Sequence, residues 1–327
     1  MPRPDRHPRF AALALLCTLA LAAGCQPRLM RPPVMFSDTA ADPFAQLPAE
    51  ARRTQATLFY ATNRQAVPQG KGKTSKPLAY GTQRAGALTL GRIDTHIGED
   101  LTWDQLEATS RDDGKRQRPE LHLGDPDPYG LLLTTAPPRL VRRQTGENPE
   151  DLETRFIPRN DPGRAAFRFA DQLNAEMDAT GHHEIYVYVH GYFNDFTDSL
   201  ETAASLHHYN GRRGAVVAFA WPSRKHLLDY FADRESAQYS ASDLRQLLVF
   251  LSNHTQAQRI HLIAHSMGTF LTSSTLRELR LSALIARPKS CGPSFASARW
   301  CWWRRTSTWT CCRRSSSARA STKSPTT

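Results

Sequence analysis

The chain has 327 residues, 40% of them hydrophobic, 22% charged and 9% aromatic. That is material for one large α/β domain or two small ones, and it excludes a disordered or polytopic chain. The formal charge of +11 sits at the ends: nine Lys/Arg and no Asp/Glu lie from Arg287 onward, residues 1–24 carry a net +2, and residues 25–286 are neutral. The charge is therefore no argument for phosphate binding, and no nucleic-acid partner is expected.

Arg3, Arg6 and Arg9 precede the apolar run from Phe10 to Ala23, which Gly24-Cys25 closes. A cationic start, a short apolar stretch and small residues at its end make a secretory signal over residues 1–24. The stretch is shorter than the roughly 20 apolar residues a spanning helix needs. One outcome is an ordinary cleaved signal with an incidental Cys. Ala22-Ala23-Gly24-Cys25 resembles a bacterial lipobox, although Ala22 stands where that pattern prefers Leu. The resemblance implies that Cys25 is diacylated, becomes the mature N-terminus and anchors the chain to a membrane. Gln26 stands where inner-membrane lipoproteins of enteric-type bacteria often carry Asp, so the periplasmic side of the outer membrane is expected. Residues 25–54, with Pro27, Pro32, Pro33, Pro43 and Pro48, read as a flexible stem.

Residues 26–290 contain no Cys, which excludes a disulfide framework and a Cys-ligated zinc site there. No metal and no cofactor is expected.

The body, residues 55–287, reads as strands alternating with helices. Thr57 to Thr62 and Ala87 to Ile93 are strand-like, and residues 94–150 form a polar, decorated loop region. Asp161-Pro162 opens a helix through Leu173. Ile185 to Val189, Ala215 to Ala220 and Ile260 to Ala264 are short, β-prone apolar runs, as expected of parallel strands buried on both faces. Asp195 to Tyr209, Ser240 to Leu251 and Thr269 to Leu284 carry helical patterns after them. The alternation predicts an α/β fold with a mostly parallel sheet and helices on both faces.

Two turns carry the chemistry. Ala264-His265-Ser266-Met267-Gly268 matches the nucleophile elbow G-x-S-x-G, with Ala264 in place of the first Gly. Small residues flank the Ser because a strand-to-helix bend this tight has no room for side chains. Ser266 would be the nucleophile and the Met267 amide one oxyanion donor. His190-Gly191-Tyr192 follows the first buried strand, and an H-G-x turn there would supply the Tyr192 amide as the second donor. The plainer reading makes Ser266 a helix N-cap. His265 and His190 read as structural, Asp195, Asp229 and Asp233 as caps or surface residues. Phe193, Phe196, Trp221 and Tyr230 are candidates either for an acyl pocket or for packing.

Leu58 to Arg64, Tyr188 to Tyr192, Phe219 to Ser223, Tyr230 to Ser240 and Ala264 to Gly268 together resemble a family of uncharacterised bacterial α/β-hydrolases, domain of unknown function 900, over roughly residues 55–287. The resemblance implies the hydrolase fold and an esterase or lipase activity on a small-molecule or lipid ester.

Beyond Arg287 that family would continue with a strand, an acid-bearing loop and the catalytic His. Residues 288–327 instead hold four of the six Cys and four of the six Trp, with no periodicity and no acidic residue. A shifted reading frame accounts for this. Trp is always TGG and Cys begins TG, so skipping two bases turns Trp300-Cys301 into Val, Cys301-Trp302 into Leu, Trp302-Trp303 into Val and Trp309-Thr310 into Asp. A genuine basic tail binding anionic surfaces is the other reading. After Gly268 there is no His and one carboxylate, Glu278, whereas the order Ser…Asp/Glu…His needs both partners downstream. The fold is thus expected to stop after the elbow helix, with the Ser266 strand at an exposed edge and the tail disordered. The functional expectation is a lipid-anchored serine hydrolase left incomplete in this chain; the alternative is a non-enzymatic envelope lipoprotein that retains the fold.

Overall fold

A computed structural model describes residues 27–33, 42–67, 79–112, 118–132, 139–144, 152–157, 163–285, 300–303 and 309–311. The signal, Cys25 and most of the tail lie outside the described residues. In chain order the strands are β1 (Gln55–Val67), β2 (Ala79–Ile97), β3 (Leu121–Leu123), β4 (Asp127–Leu131), β5 (Arg139–Gln144) and β6 (Leu152–Ile157), then β7 (Glu184–Val189), β8 (Ala215–Ala220), β9 (Arg259–Ala264), β10 (Trp300–Trp303) and β11 (Trp309–Cys311). The helices are α1 (Trp103–Arg111), α2 (Gly163–Thr180), α3 (Phe196–Tyr209), α4 (Tyr230–His254) and α5 (Met267–Ile285).

The apolar runs become central strands because each has two faces to bury. Ile185, Val187 and Val189 of β7 enter one core with Ala215, Val217 and Phe219 of β8, while Tyr186, Tyr188, Val216, Ala218 and Ala220 pack into the other. Helices α2, α4 and α5 cover the first face, and α1 and α3 cover the second. The main sheet runs β11-β10-β9-β7-β8-β1-β2-β3, with β4 against β2. Strands β1, β7, β8, β9 and β10 are parallel, and β2, β3, β4 and β11 pair antiparallel with their neighbours. This is the expected α/β-hydrolase-type architecture. β8 lies on one side of β7 and β9 on the other, so the strand order reverses at β7. In open α/β sheets that reversal is where a site opens at the C-terminal strand ends.

Three expectations are corrected. The sheet does not end at the strand before Ser266: β10 pairs parallel to β9 in the register Cys301↔Ile263 and carries β11 as a hairpin partner. Trp300-Cys301-Trp302-Trp303 is an apolar, β-favouring run, and the open edge of β9 offers it unpaired backbone groups.

Nor is the stem a loose linker where it is described. Leu29, Phe44 and Leu47 are buried, and Pro27–Leu29 runs antiparallel along residues 119–121 through Leu29 N–H to Pro119 O, 2.9 Å, and Leu121 N–H to Pro27 O, 2.8 Å. The apolar residues between the prolines have a surface to cover, which proline content alone does not reveal. The 94–150 region likewise holds α1, β3, β4 and β5. Helix α1 opens on a full capping box between Thr102 and Gln105.

At the N-terminal strand ends Glu184 joins β7 to β9. It accepts from the Tyr186 hydroxyl at 2.8 Å and lies 2.9 Å from His261 Nε2 and 2.5 Å from Arg259 Nη1. The hydrogen bond from His261, ahead of the other partners, holds its carboxyl down at about 2 against a usual 4.5. A depressed carboxyl stabilises the fold above its unfolded pKa and loses that contribution as pH falls through the folded one. Glu184→Gln is expected to cost about 2 kcal/mol at pH 7, and the gap to the parent in urea melts should narrow as pH falls from 5 towards 2; a gap independent of pH would contradict the assignment.

Candidate active site

Two adjacent strands deliver the two turns to one place. β7 ends at Val189 and leads into His190-Gly191-Tyr192; β9 ends at Ala264 and leads into His265-Ser266-Met267. The His265 N–H donates to Val189 O at 3.0 Å and ties the turns together. A β-carbon on Gly191 would stand 2.9 Å from Ser266 Cβ and 2.8 Å from His265 Nδ1, and one on Gly268 would strike the carbonyls of Val189 and His190. Only glycine permits either approach. The small residue that the elbow pattern demands two places after the serine is thus explained by backbone contact with the neighbouring turn.

Ser266 is solvent-exposed and has φ +51°. A β-carbon in this left-handed region is strained by the order of 1 kcal/mol or more. The N-cap reading would not require that strain. Three of the four non-glycine residues with positive φ, namely Phe193, Lys225 and Ser266, lie on the loops at this end of the sheet. Helix α5 begins at Met267, immediately after the serine, and the N–H of Thr269 returns to Ser266 O at 2.9 Å. Amides in a first helical turn have no intrahelical acceptor, and the dipole favours negative charge there.

His190 is fully buried and stacks on Trp221, the rings nearly parallel and 4.9 Å apart. Trp221 Nε1–H donates to His190 O at 2.8 Å, and His190 Nε2 lies 3.0 Å from Trp221 O. Burial, aided by the charge of Arg64, pushes the imidazole down to about 3. The ring is therefore neutral with one proton to donate, held between the Gly191 carbonyl, 2.9 Å from Nδ1, and the Trp221 carbonyl, 3.0 Å from Nε2. His190 fixes the turn and is no proton carrier near neutral pH. His265 is half-buried, and burial lowers its pKa also.

The four aromatic pocket candidates separate. Phe193 and Tyr230 are exposed beside Tyr192, with Tyr192–Tyr230 centroids 5.4 Å apart. Phe196 and Trp221 are core: Phe196 packs against Tyr60 and Tyr80. The Tyr192 hydroxyl donates to the carbonyls of His226 and Leu227, holding the loop that presents Leu227 and Leu228, each more than 70% exposed. Asp195 is the N-cap of α3 with a capping box, as expected. Asp233 is not a surface residue. It is buried, accepting from Ser223 Oγ at 2.5 Å and Arg224 N–H at 3.0 Å. Asp229 precedes α4 without capping it.

Sequence reading missed Arg64, whose buried guanidinium reaches the loops around the site; its one visible signal was a cation closing an otherwise apolar strand. A cavity of about 470 Å³ lies at the far end of β1 among Gln55–Thr57, Thr95–His96 and His122–Gly124, away from Ser266. Among the described residues no cluster of three or more His, Cys, Asp or Glu could hold a metal ion, and no helix is long and apolar enough to cross a membrane. Cys25 lies outside the described residues.

The strain at Ser266 gives a direct test. Ser266→Gly is expected to raise stability by about 1 kcal/mol by relieving the left-handed conformation; a thermal melt at or below that of the parent would count against the strained elbow.

Residues 165–289 match the family described as "Alpha/beta hydrolase of unknown function (DUF900)". An uncharacterized protein of Nostoc sp. is 31% identical over 117 residues, 30% of this chain and 30% of the relative. The chain thus spans under a third of the length of the curated relative it matches. No solved structure matches it. The matched segment contains both turns and the strands β7, β8 and β9 that position them.

Proposed function

We propose that the chain carries the nucleophile and oxyanion amides of a lipid-anchored serine hydrolase acting on carboxylic esters, with no His in residues 269–327 to serve as its general base. The observation that carries the reading is the exposed Ser266 at φ +51°, pressed against Gly191. In this reading the Ser266 hydroxyl attacks the ester carbonyl, and the amides of Tyr192 and Met267 take the oxyanion of the tetrahedral intermediate. Collapse expels the alcohol and leaves an acyl-enzyme, which water then hydrolyses. The leaving alcohol must receive a proton and the serine must lose one. A His oriented by a carboxylate does both in such triads. His190 is neutral and held between the carbonyls of Gly191 and Trp221, and residues 269–327 contain no His. The family match ends at residue 289, beside the change in composition at Arg287, which supports a frame shift in the coding sequence there. Sequencing the gene and its transcript across the codons for Leu284 to Arg299 tests it; an uninterrupted frame ends that part of the reading.

A fluorophosphonate probe separates the enzyme from a non-catalytic lipoprotein. Protein with the frame restored is expected to label, and Ser266→Ala to abolish labelling; no labelling would favour a fold kept without its chemistry. The present chain is expected to hydrolyse short p-nitrophenyl esters no faster than its own Ser266→Ala variant.

The lobe of the reading that concerns the membrane rests on the sequence around Cys25. Incorporation of labelled palmitate that disappears in Cys25→Ser is the expected result, and unchanged incorporation would refute the anchor.

A further inference from the structure

Arg64 ends the apolar run of β1 and is 1% exposed. The β1–β2 register shifts on both sides of it, between Thr62 and Arg64 and between Arg64 and Ala66. Irregularities of this kind re-aim a side chain that regular pairing would send elsewhere. Here the guanidinium reaches three carbonyls from three separate segments: Nη1 donates to Gly81 O at 3.1 Å and Ser223 O at 3.0 Å, and Nη2 to Asn194 O at 2.9 Å. Burial pulls the group down to about 10, so it remains charged at neutral pH. Asp195, Asp198 and Asp233 act on it through space, with Asp195 and Asp198 also paired to Lys225 at 2.9 and 2.8 Å.

A buried cation costs several kcal/mol unless its geometry is used. What this one holds is specific. Asn194 O is the exit of the turn that begins at His190 and contains the strained Phe193; His190 on Trp221 fixes the entry. Ser223 O belongs to the loop whose other side is held by Asp233. The Tyr192 amide lies between these supports.

We propose that Arg64 is a positioning residue: by gripping the Asn194 and Ser223 carbonyls it holds the 190–194 turn so that the Tyr192 amide faces Ser266. The inference rests on the reading of Ser266 as nucleophile and of Tyr192 as oxyanion donor, and its test separates the two.

In Arg64→Met the three carbonyls lose their donor; Arg64→Lys keeps the charge but cannot span all three. Hydrogen exchange on the full chain is expected to accelerate by about tenfold or more at residues 190–195 and 221–225 in Arg64→Met, with β7 and β9 unchanged and partial recovery in Arg64→Lys. A uniform acceleration over the sheet would make Arg64 an ordinary core residue, and unchanged exchange at 190–195 would overturn the proposal outright. Should Arg64→Met fail to fold, Arg64→Lys carries the same comparison alone. In fluorophosphonate labelling of the frame-restored protein, kinact is expected to fall by about tenfold or more with KI nearly constant, because the amides act on charge that develops only in the transition state. If the frame-restored parent labels and kinact is unchanged in its Arg64 variants, the positioning role is wrong. If the frame-restored parent does not label while the turn still loosens, the nucleophile reading falls and the grip of Arg64 on the turn stands.

Discussion

The geometry at the C-terminal edge of the sheet depends on one close approach, that of the turn after β7 to the turn after β9. Strands pair at about 4.8 Å, and turns leaving two neighbours in parallel come nearer still unless side chains intervene. Gly191 and Gly268 remove those side chains at the two points of contact. The backbone of one turn then seats against the Cβ of Ser266.

Buried polar groups maintain this approach. His190, neutral and stacked on Trp221, secures the start of its turn. Arg64 holds the end, and Asp233 secures the neighbouring loop through Ser223 and Arg224. Each of these groups is costly inside a protein unless its hydrogen bonds are made. Together they make a site whose loops are held by side chains reaching from the sheet and from α4, and so less dependent on the loops' own sequence.

The central strands were legible because β7, β8 and β9 each have two faces to bury, which leaves unbroken apolar runs. The elbow was legible because its turn tolerates few residue types. The support for the turns was not. Arg64 acts across more than a hundred residues on Asn194 and Ser223, Asp233 reaches out of its helix to Ser223 and Arg224, and nothing in the periodicity of β1 or α4 announces a partner. Asp233 in particular resembles any acidic residue in the first turn of a helix. The packed segment around Leu29 and Phe44 was hidden by its prolines, which suggested a linker, whereas the apolar residues between them decided its fate. The strand β10 was hidden for a different reason: a four-residue apolar run has no periodicity, and only the open edge of β9 gives it a place.

The docking of Pro27–Leu29 along residues 119–121 sets a mechanical limit. From Pro27 back to Cys25 is two residues, about 7 Å of extended chain, and the docked segment lies by β3, five inter-strand steps or about 24 Å across the sheet from β9. Anything fastened at residue 25 would therefore be bolted to the body by a bracket and not by a swinging arm. It would limit how far the body could swing about that point of attachment.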